Sequence, residues 1–426
     1  MLKRNREELR KNGSLEKNRG GGRLLILKRQ GKILTLLYDA AGRLRRADAA
    51  NEEEAVLDHI YIGKVKRVAD NIGAAFVEFA PDTMCFLPLR ECRAPILTNR
   101  SYDGRILAGD EIVIQIVSEK QKSKEATAST SLSFPGKYLV LTTGRLQMGY
   151  SPRLPQAVKA QLKEYLSSHA AFAGAGKEFG LICRTNIREL TDFSILETEL
   201  ALLRREAEAV MEKAPHRTCF SLLRKAPAAY LKSLQDYYTS DYEKIMTDEP
   251  DIYREVKDWL TQYQPSDLDK LVFYEDSLLS LSGLYSVEAR LSEALSRKVW
   301  LQSGGYLVID RTEALTCIDV NSGKYVGKKK GEDAWFLINE EAAREIGHQL
   351  LLRNISGIII IDFISMRGEE WNRKLLETLR EVLAGDPMKA DVVDMTPLGL
   401  VEVTRKKEKK SLWEQLNTTD TVRTEL

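Results

Sequence analysis

The chain comprises 426 residues, 43% hydrophobic and 30% charged, with 64 Lys and Arg against 62 Asp and Glu for a formal net charge of +2. That length predicts roughly two to four domains of about 100–200 residues each, and the balanced charge excludes disorder by charge excess and a nucleic-acid binder working by bulk positive charge. Any polyanion site must be local; no apolar run reaches the roughly 18 residues of a membrane span, and the first two dozen residues lack the apolar segment of a secretory signal.

Residues 1–22 carry Lys3, Arg4, Arg6, Arg10 and Lys11 before Gly20-Gly21-Gly22, and read as a mobile basic arm or a solvated tail. From Leu24 the pattern becomes short strands, Leu24–Leu27 and Ile33–Tyr38, with Gly31 between them. A strand-rich stretch follows from His59 to Val117, broken by turn residues near Asp70-Asn71, Pro81-Asp82 and Gly109-Asp110, and predicts a small barrel or sandwich. Residues 136–230 mix strands (Tyr138–Leu141, Gly180–Arg184) with a helix over Ile195–Lys213. A charged, glycine-poor stretch over 228–262 reads as helical, and 297–404 alternates strand and helix. The tail opens on Arg405, Lys406, Lys407, Lys409 and Lys410.

The five cysteines, Cys85, Cys92, Cys183, Cys219 and Cys317, are scattered and form no Cys-x-x-Cys pair. This pattern predicts reduced thiols in a cytoplasm and argues against a disulfide framework or a zinc–cysteine site. The histidines His59, His169, His216 and His348 lie too far apart in sequence to announce a histidine-rich metal site.

The most informative stretch runs from Leu307 to Phe363. Ala314–Val320 reads as a strand carrying Asp319 near its end, and alternation places Asn321 on the same side as Asp319. A loop rich in glycine and lysine (Gly323, Lys324, Gly327, Lys328, Lys329, Lys330, Gly331) precedes a helix over Glu332–Arg353, whose stripe includes Ala343, Ile346 and Leu350. Gly357 ends it, and Ile358–Ile361 reads as a buried strand closing at Asp362. A strand–helix–strand unit makes the two strands parallel. Asp319 and Asp362 then share the carboxyl edge where α/β sheets place ligands. Two carboxylates on a mostly buried edge need a cation to offset repulsion and lost hydration, and one or two carboxylates plus waters is how magnesium is held. Metal beside a lysine loop points to phosphodiester hydrolysis. The alternative at this level is that both aspartates merely cap turns.

In a second stretch, Ala75, Val77 and Phe79 alternate with Phe76 and Glu78, while Cys85, Leu87 and Leu89 alternate with Phe86. Phe76 and Phe86 then face outward near Lys64, Lys66 and Arg67, an arrangement suited either to base stacking on a single strand or to packing against a neighbouring domain. The run Lys120, Lys122, Lys124 suits a phosphate backbone or a solvated loop.

Together these stretches resemble the bacterial RNase E/G family of endoribonucleases. The resemblance lies in Ser303-Gly304-Gly305, Glu313-Ala314-Leu315-Thr316-Cys317-Ile318-Asp319-Val320-Asn321-Ser322, Asn339-Glu340-Glu341-Ala342-Ala343, Gly357–Phe363 and Leu398-Gly399-Leu400-Val401-Glu402 with Thr404-Arg405-Lys406. Upstream it includes Ile60-Tyr61-Ile62-Gly63-Lys64-Val65, Ala74-Ala75-Phe76-Val77, Phe86-Leu87-Pro88-Leu89 and Pro135-Gly136-Lys137-Tyr138-Leu139-Val140-Leu141. It implies an α/β and α+β multidomain chain: an arm over 1–22, an RNase H-like portion over 23–57 and 226–293, an S1-like OB-fold insert over 58–130, a 5′-sensor-like domain over 131–225, a DNase I-like catalytic domain over 294–412 and a tail over 413–426. It further implies that Asp319 and Asp362 hold catalytic Mg2+ (or Mn2+), that Asn321 supports Asp319, that Phe76, Phe86 and Lys124 contact RNA, and that Arg184, Thr185 and Lys389 read a 5′ phosphate.

The departures from the family pattern are Asn186-Ile187 after Arg184-Thr185, Glu125 after Lys124, Ser365 near the catalytic strand end, and the absence of any cysteine after Cys317. The last leaves a zinc-linked dimer unsupported. With no long tail, the chain reads as nearer the short RNase G type. The expected function is a cytoplasmic, magnesium-dependent endoribonuclease cutting single-stranded RNA (rRNA or tRNA precursors, or mRNA) to leave 5′ phosphates. The alternative is a weak or inactive RNA-binding relative acting in ribosome assembly or RNA protection.

Overall fold

The computed structural model describes residues 21–51, 56–92, 94–118, 125–325, 327, 331–407 and 409–417. Most of the basic arm, Lys120, Lys122, Lys124, Lys328, Lys329 and Lys330 lie outside the described residues. The rest divides into two compact units, one from 21–50, 241–253 and 271–417, the other from 51–240 and 254–270.

The first unit opens with β1 (Arg23–Arg29), β2 (Lys32–Tyr38) and β3 (Leu44–Asn51). β1 and β2 form a hairpin closing at Arg29 opposite Lys32. Leu24, Leu25, Ile26 and Leu27 are all buried, so β1 is covered on both faces. A continuous apolar run is what a central strand with a parallel neighbour requires.

The second unit begins with β4 (Ile60–Ala69), β5 (Ala74–Ala80), β6 (Thr83–Pro88), β7 (Glu111–Ser118) and β8 (Ala126–Ser129). β4 pairs with both β5 and β7, β6 pairs with β5 and β8, and β8 pairs with β7. The five strands therefore close into a barrel around Val65, Ala75, Val77, Cys85, Leu87 and Ile114, which settles the barrel-or-sandwich alternative. β9 (Ser133–Pro135), β10 (Leu139–Thr142), β11 (Met148–Tyr150) and β12 (Gly180–Cys183) make a separate sheet in the order β11-β12-β10-β9. Helices α1 (Gln156–Ser168) and α2 (Ile195–Lys213) contribute Leu162, Leu166, Leu196, Leu200 and Leu203 to its core. The α2 residue Glu199, buried, accepts hydrogen bonds from the backbone N–H groups of Lys137, Tyr138 and Leu139 at 2.6–3.2 Å, so the loop before β10 is held from below. β13 (Leu222–Arg224) pairs with β4, and α3 (Ala229–Asp236) follows.

The helical stretch expected over 228–262 holds at its two ends and is interrupted by a strand. The chain returns to the first unit as β14 (Lys244–Thr247) before α4 (Pro250–Tyr263). Ile245 and Met246 lie in a strand because β14 pairs in parallel with β1 on one side and with β15 (Leu271–Phe273) on the other. Pro250, suited to a first helical turn, starts the helix anew. The resulting sheet, β15-β14-β1-β2-β3, packs Leu25, Leu36 and Tyr38 with Leu281 of α5 (Leu281–Leu284) and with Val287 and Leu291 of α6 (Val287–Leu295).

The remaining elements are β16 (Lys298–Trp300), β17 (Tyr306–Arg311), β18 (Leu315–Asn321), α7 (Glu332–Leu352), β19 (Gly357–Asp362), α8 (Glu369–Ala384), β20 (Ala390–Met395), β21 (Leu400–Arg405) and α9 (Leu412–Asn417). Their strands form a six-stranded sheet in the order β16-β17-β18-β19-β21-β20. Leu307, Ile318, Val320, Ile359, Ile361 and Val401 pack against apolar residues of α7 and α8, including Ile338, Ile346, Leu375 and Leu379. β19 is thus buried on one face only: Ile359 and Ile361 are enclosed, while Ile358 is half exposed, a correction to the fully buried strand expected there. No helix among the described residues is long and apolar enough to cross a membrane.

Candidate active site

β18 and β19 run parallel, with Asp319 the register partner of Asp362. Neighbouring strands lie about 4.8 Å apart, so the two carboxylates leave the sheet side by side. Alternation sets their direction: Ile318, Val320 and Ile361 point into the helix-covered core, so Asp319 and Asp362 take the opposite face. Asn321, two residues on, donates from Nδ2 to Oδ2 of Asp319 at 2.7 Å. The expected mostly buried edge is corrected, because both aspartates are exposed. The face they occupy is the one that α7 and α8 leave uncovered.

Loops at this edge are fixed by backbone contacts and by α7. Gly304, at φ 88°, and Gly323 approach so closely that a Cβ on Gly304 would stand 2.5 Å from the Lys324 carbonyl oxygen. The Lys324 N–H donates to the Gly304 carbonyl at 3.2 Å. The α7 residue Asn339 is fully buried; its Nδ2 donates to the Ile364 carbonyl at 2.8 Å and its Oδ1 accepts the Ile364 N–H at 3.0 Å. Glu341 accepts the Gln302 N–H at 2.6 Å, and Glu332 accepts the Arg367 N–H at 3.0 Å. Reading by periodicity missed these three positioning residues. The signal available was three polar residues on a helix packed beside the two acidic strands.

Among the described residues, no three His, Cys, Asp or Glu side chains gather into a metal-holding group. Two adjacent carboxylates reaching solvent are nevertheless a donor set that suits magnesium, which takes one or two carboxylates and completes its shell with water and substrate phosphate.

On the barrel, Phe76 and Phe86 are register partners on β5 and β6, with ring centroids 6.0 Å apart and planes at 77°. Both are half-buried and face away from the barrel core. The Arg67 guanidinium lies 4.7 Å from the Phe76 ring centroid, Lys66 pairs with Glu78 at 2.8 Å, and Lys64 is exposed. Lys124 lies outside the described residues.

In the second unit, Arg184 donates to the Gly136 carbonyl and to Asp236, each at 2.5 Å. The Thr185 hydroxyl lies 2.7 Å from that of Ser151. Neighbouring Asn186 and Ile187 turn inward, with Asn186 donating to the Gln235 carbonyl at 2.9 Å. Lys389 belongs to the first unit, where it is exposed and pairs with Asp391 at 3.2 Å. The geometry thus joins Asp319, Asn321 and Asp362 in one group and Phe76 with Phe86 in another, while the side chains of Arg184 and Thr185 meet different partners.

Residues 133–408 match the Ribonuclease E/G family. Ribonuclease G of Escherichia coli (strain K12) is 33% identical over 369 residues, covering 84% of this chain and 74% of the relative. Ribonuclease G of Haemophilus influenzae is 33% identical over 383 residues, covering 87% and 77%. Ribonuclease E of Escherichia coli (strain K12) is 31% identical over 365 residues, covering 84% of this chain but 34% of the relative. With the family matched over most of its length and relatives of the G type covered more fully than those of the E type, the chain belongs to the ribonuclease E/G family.

Proposed function

We propose that this chain is a magnesium-dependent endoribonuclease that cuts single-stranded RNA and leaves 5′-phosphate ends, acting in RNA processing or decay. The observation that carries the proposal is the pairing of Asp319 with Asp362 on an uncovered sheet face, with Asn321 bonded to Asp319. Family membership supports the reaction class, since the relatives are named ribonucleases. In this reading the six-stranded sheet is the DNase I-like catalytic portion, the barrel is the S1-like RNA-binding portion, the sheet around β10 and β12 is the 5′ sensor, and the sheet around β1 is the RNase H-like portion.

Asp319 and Asp362 would hold the ion. When bound, magnesium supplies an activated water and neutralises charge developing on phosphorus. Asn321, donating to Oδ2 of Asp319 at 2.7 Å, orients that carboxylate. Phe76 and Phe86 stack unpaired bases, with Lys124 a further RNA contact, and Arg184 and Thr185 serve 5′-phosphate recognition. Manganese is the alternative ion for this donor set.

The test is cleavage of a labelled single-stranded RNA with magnesium or with EDTA. Asp319→Asn and Asp362→Asn are expected to lose cleavage while RNA affinity stays within about twofold. Asn321→Ala, a supporting change, is expected to lose about 10–100-fold. Parental cleavage rates in both aspartate variants would refute the assignment. RNA left intact by the parental protein with magnesium and with manganese would favour the RNA-binding alternative.

A further inference from the structure

On the face that carries Asp319 and Asp362, β16 and β17 bring Trp300, Tyr306 and Lys298 into one cluster. Trp300 is the register partner of Tyr306, and Tyr306 is the register partner of Asn321. Lys298, Val308, Asp319 and Asp362 make the adjoining row across the same strands. The sheet continues unbroken from the acidic pair to the tryptophan, about 10 Å across two strand spacings from Asn321.

The three side chains form a cationic aromatic group with an open side. Lys298 Nζ lies 3.6 Å from the Tyr306 ring centroid and 4.0 Å from that of Trp300, and the two rings meet at 5.3 Å with planes at 60°. No ion pair involves Lys298 among the described residues. Trp300 is 64% exposed, so its indole offers apolar area to a ligand rather than to a core. An ammonium held between rings keeps positive charge on the sheet face of the two carboxylates, two and three strand spacings (about 10 and 14 Å) away along the same row.

We infer that Trp300 and Tyr306 form a stacking platform for one unpaired RNA base a nucleotide or two from the scissile phosphate, with Lys298 contacting the adjoining backbone phosphate. This inference rests on the nuclease reading for where the cut falls, but the platform itself is tested by binding. Aromatic platforms bind bases of every sequence because each base presents a π face, and one such contact is worth about 1–3 kcal/mol. The platform lies in the first unit, and so is distinct from the Phe76–Phe86 pair of the barrel.

The decisive experiment measures binding of a fluorescent single-stranded RNA in EDTA, where no cutting takes place, using the full chain. The parental protein is compared with Trp300→Ala, Trp300→Phe and Lys298→Ala on a series of RNAs with one abasic nucleotide moved along the strand. Trp300→Ala is expected to weaken binding about 5- to 160-fold, Trp300→Phe to restore most of it, and Trp300→Ala to lose the sensitivity that the parental protein shows to an abasic nucleotide at one position. Lys298→Ala is expected to weaken binding and flatten its salt dependence. Trp300→Ala binding within twofold of the parental protein, or an unchanged abasic profile, overturns the inference. Failure of the parental protein to cut with magnesium and with manganese would instead sink the nuclease reading, with the platform judged by its binding result.

Discussion

Phe76 and Phe79 lie three positions apart on β5 and have opposite fates. Alternation sends Phe79 into the barrel and Phe76 out of it, next to Phe86 on the paired strand. Phe76→Ala or Phe86→Ala is therefore expected to leave stability largely intact and to weaken single-stranded RNA binding by about 1–3 kcal/mol, read by fluorescence anisotropy. Phe79→Ala should do the reverse, costing about 3–5 kcal/mol of stability in urea unfolding. Unchanged affinity in both outward variants would remove the barrel from the RNA path. Period-two alternation also made the Asp319–Asn321 relation readable, because both facts depend on two residues of one strand. The role of Asn339 was not readable, since it depends on the backbone of Ile364, placed in reach only by the packing of α7 on the sheet. Nor was the engagement of Arg184 by Asp236, fifty-two positions away.

At the scale of elements, α7 organises the sheet edge that carries Asp319 and Asp362. Its apolar stripe was legible from period 3.6 and its bounds fall within a residue of those expected. Its polar contacts were not, because each partner belongs to another segment. Glu345 shows the consequence for stability. Burial alone would raise its pKa, yet His348 at 3.3 Å, Gln349 at 2.8 Å and Arg43 at 2.5 Å together pull it down to about 2. A carboxyl group held below its ordinary 4.5 stabilises the fold fully above that value and loses the contribution as pH falls toward 2. The difference corresponds to about 3 kcal/mol. Glu345→Gln is expected to lower the urea midpoint most at pH 6 and progressively less between pH 4.5 and 2.5. A gap that stays constant with pH would refute this account. β14 illustrates the opposite limit: Lys-Ile-Met-Thr carries little strand signal of its own, and only its pairing with β1 makes it one.

For the molecule as a whole, near-neutral net charge leaves RNA affinity to local clusters, and the barrel and the strand–helix–strand core were legible because each is built from consecutive chain. The division of the chain was harder to read. The first unit is assembled from three separated stretches, and no local pattern announces that a strand near residue 25 will lie beside one near residue 245. This arrangement has a consequence for synthesis. β1 leaves the ribosome long before β14 exists, and at 5–20 residues per second the intervening 200-odd residues take about 10–45 s. Over that interval Leu24–Leu27 has no parallel partner and presents an aggregation-prone edge. Nascent chains stalled after residue 240 are expected to be cut rapidly by protease within β1–β3 and to engage a holding chaperone there, whereas released full-length chains resist both. Equal resistance in the stalled chains would mean that the opening hairpin stands on its own while translation continues.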